Sequence, residues 1–168
     1  APAKLLGSKG GPAWTNAAGR AGLYFNGTDQ AVDTGTRLQD LRLPFSIAFW
    51  ANPAATQMEY ADILGNHEGS VGLVMQQEGK KTNLFAFGYG DGKTGYGPGA
   101  VQLTAGEWLH VAVVCDGQKA ACYVNGAEKS SHLAPGAFAH NPNLNFKLGQ
   151  GYKEGRFFHG LLSDVRIY

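Results

Sequence analysis

The chain has 168 residues, 43% of them apolar, and 14 Lys plus Arg against 13 Asp plus Glu leave a formal net charge of +1. This fits one domain with ample material for a core, and charged residues at 16%, below the usual quarter, exclude a disordered chain or a charged coiled coil. The basic residues are scattered from Lys4 to Arg166, with only Lys80 and Lys81 adjacent, so nucleic acid and anionic membrane are not expected as partners.

The 25 glycines, about twice average usage, argue against long helices. Short β-type runs separated by Gly, Pro, Asn and Asp predict strands over 23–25, 31–34, 45–52, 61–64, 72–77, 83–89, 101–103, 108–115, 120–124, 146–148 and 161–168. Phe45, Ile47 and Phe49 share one face, as do Ser163, Val165 and Ile167, which gives each strand the single dry face that two stacked sheets require. Asn26-Gly27, Asp91-Gly92, Asp116-Gly117 and Asn125-Gly126 supply the positive φ of tight turns and predict a hairpin-rich antiparallel topology. Residues 1–22, 90–100 and 133–145 carry no clear strand signal and are the loops on which a variable function would sit. The expected fold class is all-β, a two-sheet antiparallel sandwich over residues 1–168.

No apolar run approaches the roughly 18 residues that would span a bilayer. The opening Ala1-Pro2-Ala3-Lys4 has neither Met nor a signal-like stretch, and the chain stops directly behind its last strand-like run at Tyr168. Both features lead us to expect a single module excised from a larger protein. Cys115 and Cys122 flank the turn signal 116–119, so at most one bridge exists. A turn centred on Gln118-Lys119 sets the thiols opposite each other, whereas one centred on Asp116-Gly117 separates them, and the sequence leaves both a disulfide and two buried free thiols open.

Four segments are familiar in their order. Ala17-Ala18-Gly19-Arg20-Ala21-Gly22-Leu23-Tyr24-Phe25-Asn26-Gly27 resembles the opening strand of laminin G-like, concanavalin A-like jelly-roll domains. Phe45-Ser46-Ile47-Ala48-Phe49-Trp50-Ala51-Asn52-Pro53 is similar to the next signature, and Glu107-Trp108-Leu109-His110-Val111-Ala112-Val113-Val114, followed after a turn by Tyr123-Val124-Asn125-Gly126, to the third. Gly160-Leu161-Leu162-Ser163-Asp164-Val165-Arg166-Ile167-Tyr168 resembles the final strand. The resemblance implies a jelly roll with one concave face. It also implies a secreted or cell-surface, lectin-like setting, because similar bacterial modules accompany glycoside hydrolases and related enzymes as carbohydrate-binding units. Others are structural or mediate protein adhesion, and that is the alternative reading. The implied partners are a glycan and the neighbouring domains of a parent polypeptide.

Catalysis is not expected. Glycoside hydrolysis needs two carboxylates across the scissile bond, and the chain has no acid-x-acid pair. Asp29 and Asp33 do not read as sharing a strand face, and Glu59 and Asp62 around Tyr60-Ala61 read as a solvated rim. The cysteines sit in apolar strands, which do not activate a thiol, and the histidines at 67, 110, 132, 140 and 159 lack a metal-pair spacing. A structural Ca²⁺ is the one cofactor the resemblance implies, held between the first-strand turn and the last strand, with Asn26 and Asp164 as its residues. Here Asn26 stands where the family usually has Asp, and Asp164 lies one residue beyond the usual position, which turns its side chain to the other face.

Sugars present apolar C–H faces and a rim of hydroxyls, so their sites pair aromatic platforms with amides and charged groups. Such mixtures near loops single out Asn66, His67, Glu68, Gln76, Tyr89, Tyr96 and Arg156 as candidate ligand residues, the last within the cluster 150–158. Trp50 and Trp108, inside strand motifs, are read as core. An ion pair with Glu154 would explain Arg156 too.

Overall fold

A computed structural model of the protein describes residues 2–97, 99–134, 136–152 and 155–168, with Tyr96 described in its backbone alone. The strands among these residues are β1 (Lys4–Leu6), β2 (Ala13–Ala17), β3 (Arg20–Asn26), β4 (Ala31–Asp33), β5 (Phe45–Pro53), β6 (Asp62–Gly65), β7 (Leu73–Gln77) and β8 (Leu84–Gly90). They continue with β9 (Gly95–Tyr96), β10 (Val101–Gln102), β11 (Leu109–Cys115), β12 (Lys119–Val124), β13 (Ala127–Leu133), β14 (Lys147–Leu148) and β15 (His159–Ile167), and no helix occurs among the described residues. Two antiparallel sheets result, one in the order β1-β4-β14-β6-β7-β8-β10 with β9 paired to β8, the other β13-β12-β11-β5-β15-β3-β2. They form a jelly-roll sandwich.

Alternation places the core between the sheets. Phe45, Ile47, Phe49 and Ala51 of β5, with Val111 and Val113 of β11, face Leu73 and Met75 of β7 and Phe85, Phe87 and Tyr89 of β8, all buried. Phe158 locks the layers by edge-on contacts with Phe25 (6.4 Å) and Phe85 (6.2 Å). On the first sheet Leu73 and Met75 pair with Tyr89 and Phe87 inward, so Val74 and Gln76, paired with Gly88 and Ala86, form the outer face. A bulge in β6 sets which of its side chains reach that outer face. Asp62 pairs with Gln76 and Leu64 with Met75, which leaves Ile63 as the extra residue. Ile63 and Leu64 both enter the core, and Asp62 is delivered to the outer face beside Gln76.

Several sequence expectations change in the folded chain. Strands β1, β2 and β9 lie in stretches without a clear strand signal, and β13 carries none either, because Ala127–Leu133 is polar and almost wholly exposed. The hairpin turn at Asn125 (φ 50°) and Gly126 (φ 79°) pairs β13 with β12 in place of hydrophobic alternation. Asn26-Gly27 does not close a hairpin, since β3 and β4 belong to different sheets. The turn between β11 and β12 is centred on Gly117 and Gln118, with Asp116 N donating to Lys119 O (3.1 Å), a register midway between the two that the sequence leaves open. Cys115 therefore pairs with Ala120 and Cys122 with Val113, and the thiols are free and buried, each pushed up to about 12 by desolvation.

Trp50 and Trp108 are not core residues. Both are half-buried on the outer face of the second sheet. The Arg20 guanidinium lies 3.9 Å over the Trp50 ring, His110 stacks 5.2 Å from it, and Trp108 Nε1 donates to Ala17 O (2.6 Å). Gly22 makes room for Trp108, because a Cβ there would stand 2.7 Å from its ring.

Candidate functional site

The chain leaving β14 rises from the plane of the first sheet at Gly149, whose N–H continues the ladder to Ile63 O (2.7 Å). Residues 150–152 then cover β6, and the chain returns where Asp62 N donates to Arg156 O (2.9 Å) and Phe157 pairs with Asp62. Gly151 is required at the crossing, since a Cβ would meet Leu64 O at 2.8 Å and Val74 Cγ2 at 3.0 Å. Asp62 is the clasp: its Oδ2 accepts from Gly151 N (3.1 Å) and Tyr152 N (2.8 Å), and its Oδ1 from Gln76 Nε2 (2.8 Å). At 0% exposure, desolvation raises its pKa to about 6 despite these hydrogen bonds and the nearby Arg156 charge.

On the β7–β8 side of this strap the outer face sinks into an open depression of about 490 Å³. Val74, Gln76, Ala86 and Gly88 floor it, a small-residue surface with one amide, and Tyr60 walls it. Tyr60 is 43% exposed and holds φ at 58°, a strained conformation for a bulky residue, with its N–H donating to Gly79 O (3.1 Å). From Tyr60 a stack of flat groups follows the strap. Arg156 Cζ lies 5.3 Å from the Tyr60 ring and 4.4 Å from the Tyr152 ring, and Tyr152 lies 5.9 Å from His67. Burial and the Arg156 charge both lower the His67 pKa, so its imidazole is neutral at pH 7.

Of the sequence-predicted residues, the structure brings His67, Gln76 and Arg156 together here. Asn66, at 0% exposure, is structural: Nδ2 donates to Arg37 O and Leu144 O (both 3.3 Å), and Leu73 N donates to Oδ1 (3.3 Å). Tyr89, read as a rim residue, is 1% exposed in the core and donates its hydroxyl to Ala134 O (2.9 Å). Inward register on β8, invisible in a run of alternating aromatics and small residues, decides this. Glu68 is exposed in the turn closed by its N–H to Val71 O (3.0 Å). Tyr96 pairs with Tyr89 through its backbone, and its side chain lies outside what is described, as does Glu154 with the ion pair considered for Arg156. Sequence reasoning missed Tyr60, Tyr152 and Asp62. The solvated-rim reading fits exposed Glu59 but not Asp62, which only the β6 bulge and the strap bury.

The implied calcium residues do not fit an ion. Asn26 Oδ1 accepts from Thr28 N (2.9 Å), Asp29 N (3.2 Å) and Gln30 N (3.4 Å), and its Nδ2 donates to Asp29 Oδ1 (2.8 Å). Asp164 is exposed, with φ 51°, and ion-paired to Arg166 at 2.7 Å. Asn26 pairs with His159, so Asp164 stands five residues further along β15, about 17 Å at strand rise. Among the described residues no group of three or more His, Cys, Asp or Glu could hold a metal.

The sequence model of the Laminin_G_3 family, described as the concanavalin A-like lectin/glucanases superfamily, matches residues 26–168. The chain belongs to this superfamily. No curated protein matches this laminin G-like chain in sequence. Among solved structures it is similar to domain 4 of AbnA, a GH43 extracellular arabinanase from Geobacillus stearothermophilus, solved in complex with arabinotriose: 21% identity, 99% of this chain and 82% of that one covered, TM-score 0.75. It is also similar to the botulinum neurotoxin serotype G binding domain (13% identity, 99% and 43% covered, TM-score 0.70). Mouse laminin α1 domains LG4-5 follow at 14% identity, 98% and 40% covered, TM-score 0.59. The laminin G-like chain thus spans less than half of the latter two, and at these identities the likeness shows the fold. No helix among the described residues is long and apolar enough to cross a membrane.

Proposed function

We propose that this laminin G-like module is a noncatalytic carbohydrate-binding unit that targets an appended, extracellular glycan-active enzyme to its polysaccharide. The observation that carries the reading is the depression on the outer face of the first sheet. It combines a floor of small residues and the Gln76 amide with the Tyr60 wall, and from Tyr60 the Arg156–Tyr152–His67 stack leads away along the strap. Tyrosine faces match the C–H face of a sugar ring, while Arg156 donors and the amide fix its hydroxyls. The arabinotriose bound to the arabinanase domain of similar fold supports a glycan of this kind. The noncatalytic part rests on Asp62, which spends its acceptors on Gln76 and the strap rather than on a substrate. A shallow open site of this composition should bind at millimolar to micromolar affinity, about −4 to −8 kcal/mol. A glycan array followed by calorimetry, with arabinotriose as the first probe, tests it. Binding that Arg156→Ala weakens without lowering Tm is expected, and unaltered affinity in that variant would move the site elsewhere.

A further inference from the structure

Beyond that reading, we propose a second, separate binding site for a neutral polyhydroxylated ligand of about one sugar unit on the other side of the strap, walled by Asp29, Lys147, Gln150 and Phe157. The pairings Leu6 with Ala31, Lys147 with both Asp33 and Gly65, and Gly65 with Val74 place these positions on the same outer face as the first depression. The strap over β6 parts the two. Here the face sinks into a depression of about 360 Å³, within the range of small-molecule sites, floored by Leu6 and Ala31 and closed on the strap side by Gln150 and Phe157.

Its polar groups are held in place before any ligand arrives. Asp29 Oδ2 accepts from Ser8 N (2.7 Å) and from Ser8 Oγ, and Oδ1 from Asn26 Nδ2 (2.8 Å). These bonds lower its pKa to about 2 and leave one acceptor position of an ionised carboxylate. Asn26 is itself fixed by capping its own turn, and Gln30 Nε2 ties that turn to Gly10 O and Gly11 O (both 3.1 Å). Across the depression Lys147 Nζ donates to Gln150 Oε1 (3.1 Å), its one hydrogen bond among the described residues, which leaves two donors. Asp29 and Lys147 form no ion pair with each other. An acceptor-only carboxylate and a donor-only ammonium, fixed apart over an apolar floor with an aromatic edge, are matched by hydroxyls, which donate to the one and accept from the other. Their opposite charges offset each other across the pocket.

The test is a titration of the ¹⁵N-labelled protein with arabinose, glucose and galactose, with glucuronate as the charged comparison, in wild type, Lys147→Met, Asp29→Asn and Arg156→Ala. Thermal melts accompany each variant, and Lys147→Met keeps the packed stem. Saturable shifts at the amides of Ser8, Asp29 and Gln150 are expected with a neutral sugar. They should weaken at least about tenfold in whichever of Lys147→Met and Asp29→Asn melts like wild type, and persist in Arg156→Ala. Shifts confined to Gln76, Gly88 and Tyr152 would overturn the second site and leave the first standing. Shifts at the second site alone would overturn the first, and shifts at neither would overturn both. Tighter binding of glucuronate, or shifts undiminished in Lys147→Met, would also overturn this inference.

Discussion

On the outer face of the second sheet, Trp50 is covered by Arg20 on one side and His110 on the other, and Trp108 is sealed over Gly22 with its N–H spent on Ala17 O. On the outer face of the first sheet, Tyr60 and Tyr152 share Arg156, and Tyr60 borders an open depression floored by small residues. Both faces carry aromatic rings and an arginine. The difference is what lies beside the rings: on the second sheet protein fills the space, and on the first the small side chains at 74, 86 and 88 leave an open depression beside Tyr60. Aromatic content alone therefore does not mark a binding face: Gly22 lies covered beneath Trp108, whereas the small residues at 74, 86 and 88 stay open beside Tyr60, and that is what distinguishes the two.

The largest effect should come from breaking the clasp that shapes the first face. Asp62→Ala strands the N–H groups of Gly151 and Tyr152 and the Gln76 amide, and should cost about 2–4 kcal/mol in urea unfolding together with glycan binding at the first depression.

The same carboxylate sharpens the comparison through pH, since the second face has no counterpart. Its folded pKa of about 6 lies above the unfolded 3.8, so between those values the folded state binds more protons. Stability from this group is therefore greatest below about pH 4 and falls as pH rises through 6, by at most about 3 kcal/mol. Wild type should lose stability relative to Asp62→Asn over that window. Asp29 runs the other way in a separate window: its depressed pKa contributes stability above about pH 4 that is lost as pH falls toward 2.

On the second face, Gly22→Ala puts a Cβ 2.7 Å from the Trp108 ring and 2.9 Å from Leu162 O. It should destabilise by about 1–3 kcal/mol while leaving glycan affinity unchanged, and a loss of affinity would erase the distinction between the faces. The smallest effect belongs to Tyr152→Ala, which should weaken glycan binding five- to tenfold, about 1 kcal/mol, with little change in Tm.

The sequence by itself determined the β class and much of the strand order. Alternation in runs such as Phe45–Pro53 and hairpin dipeptides such as Asn125-Gly126 are local signals that act whatever surrounds them. It also determined that His67, Gln76 and Arg156 were the residue types to watch. Only the tertiary structure decided which of the candidates meet. One extra residue in β6 turns Asp62 outward, and register alone turns Tyr89 inward and Trp50 outward. The contact that brings Tyr60 to Arg156 joins segments 96 residues apart in the chain, whereas Tyr152 meets Arg156 from only four residues away within the strap. Local propensity is written residue by residue, whereas a side chain's face depends on a pairing register summed over the whole sheet, where a shift of one residue reverses the answer.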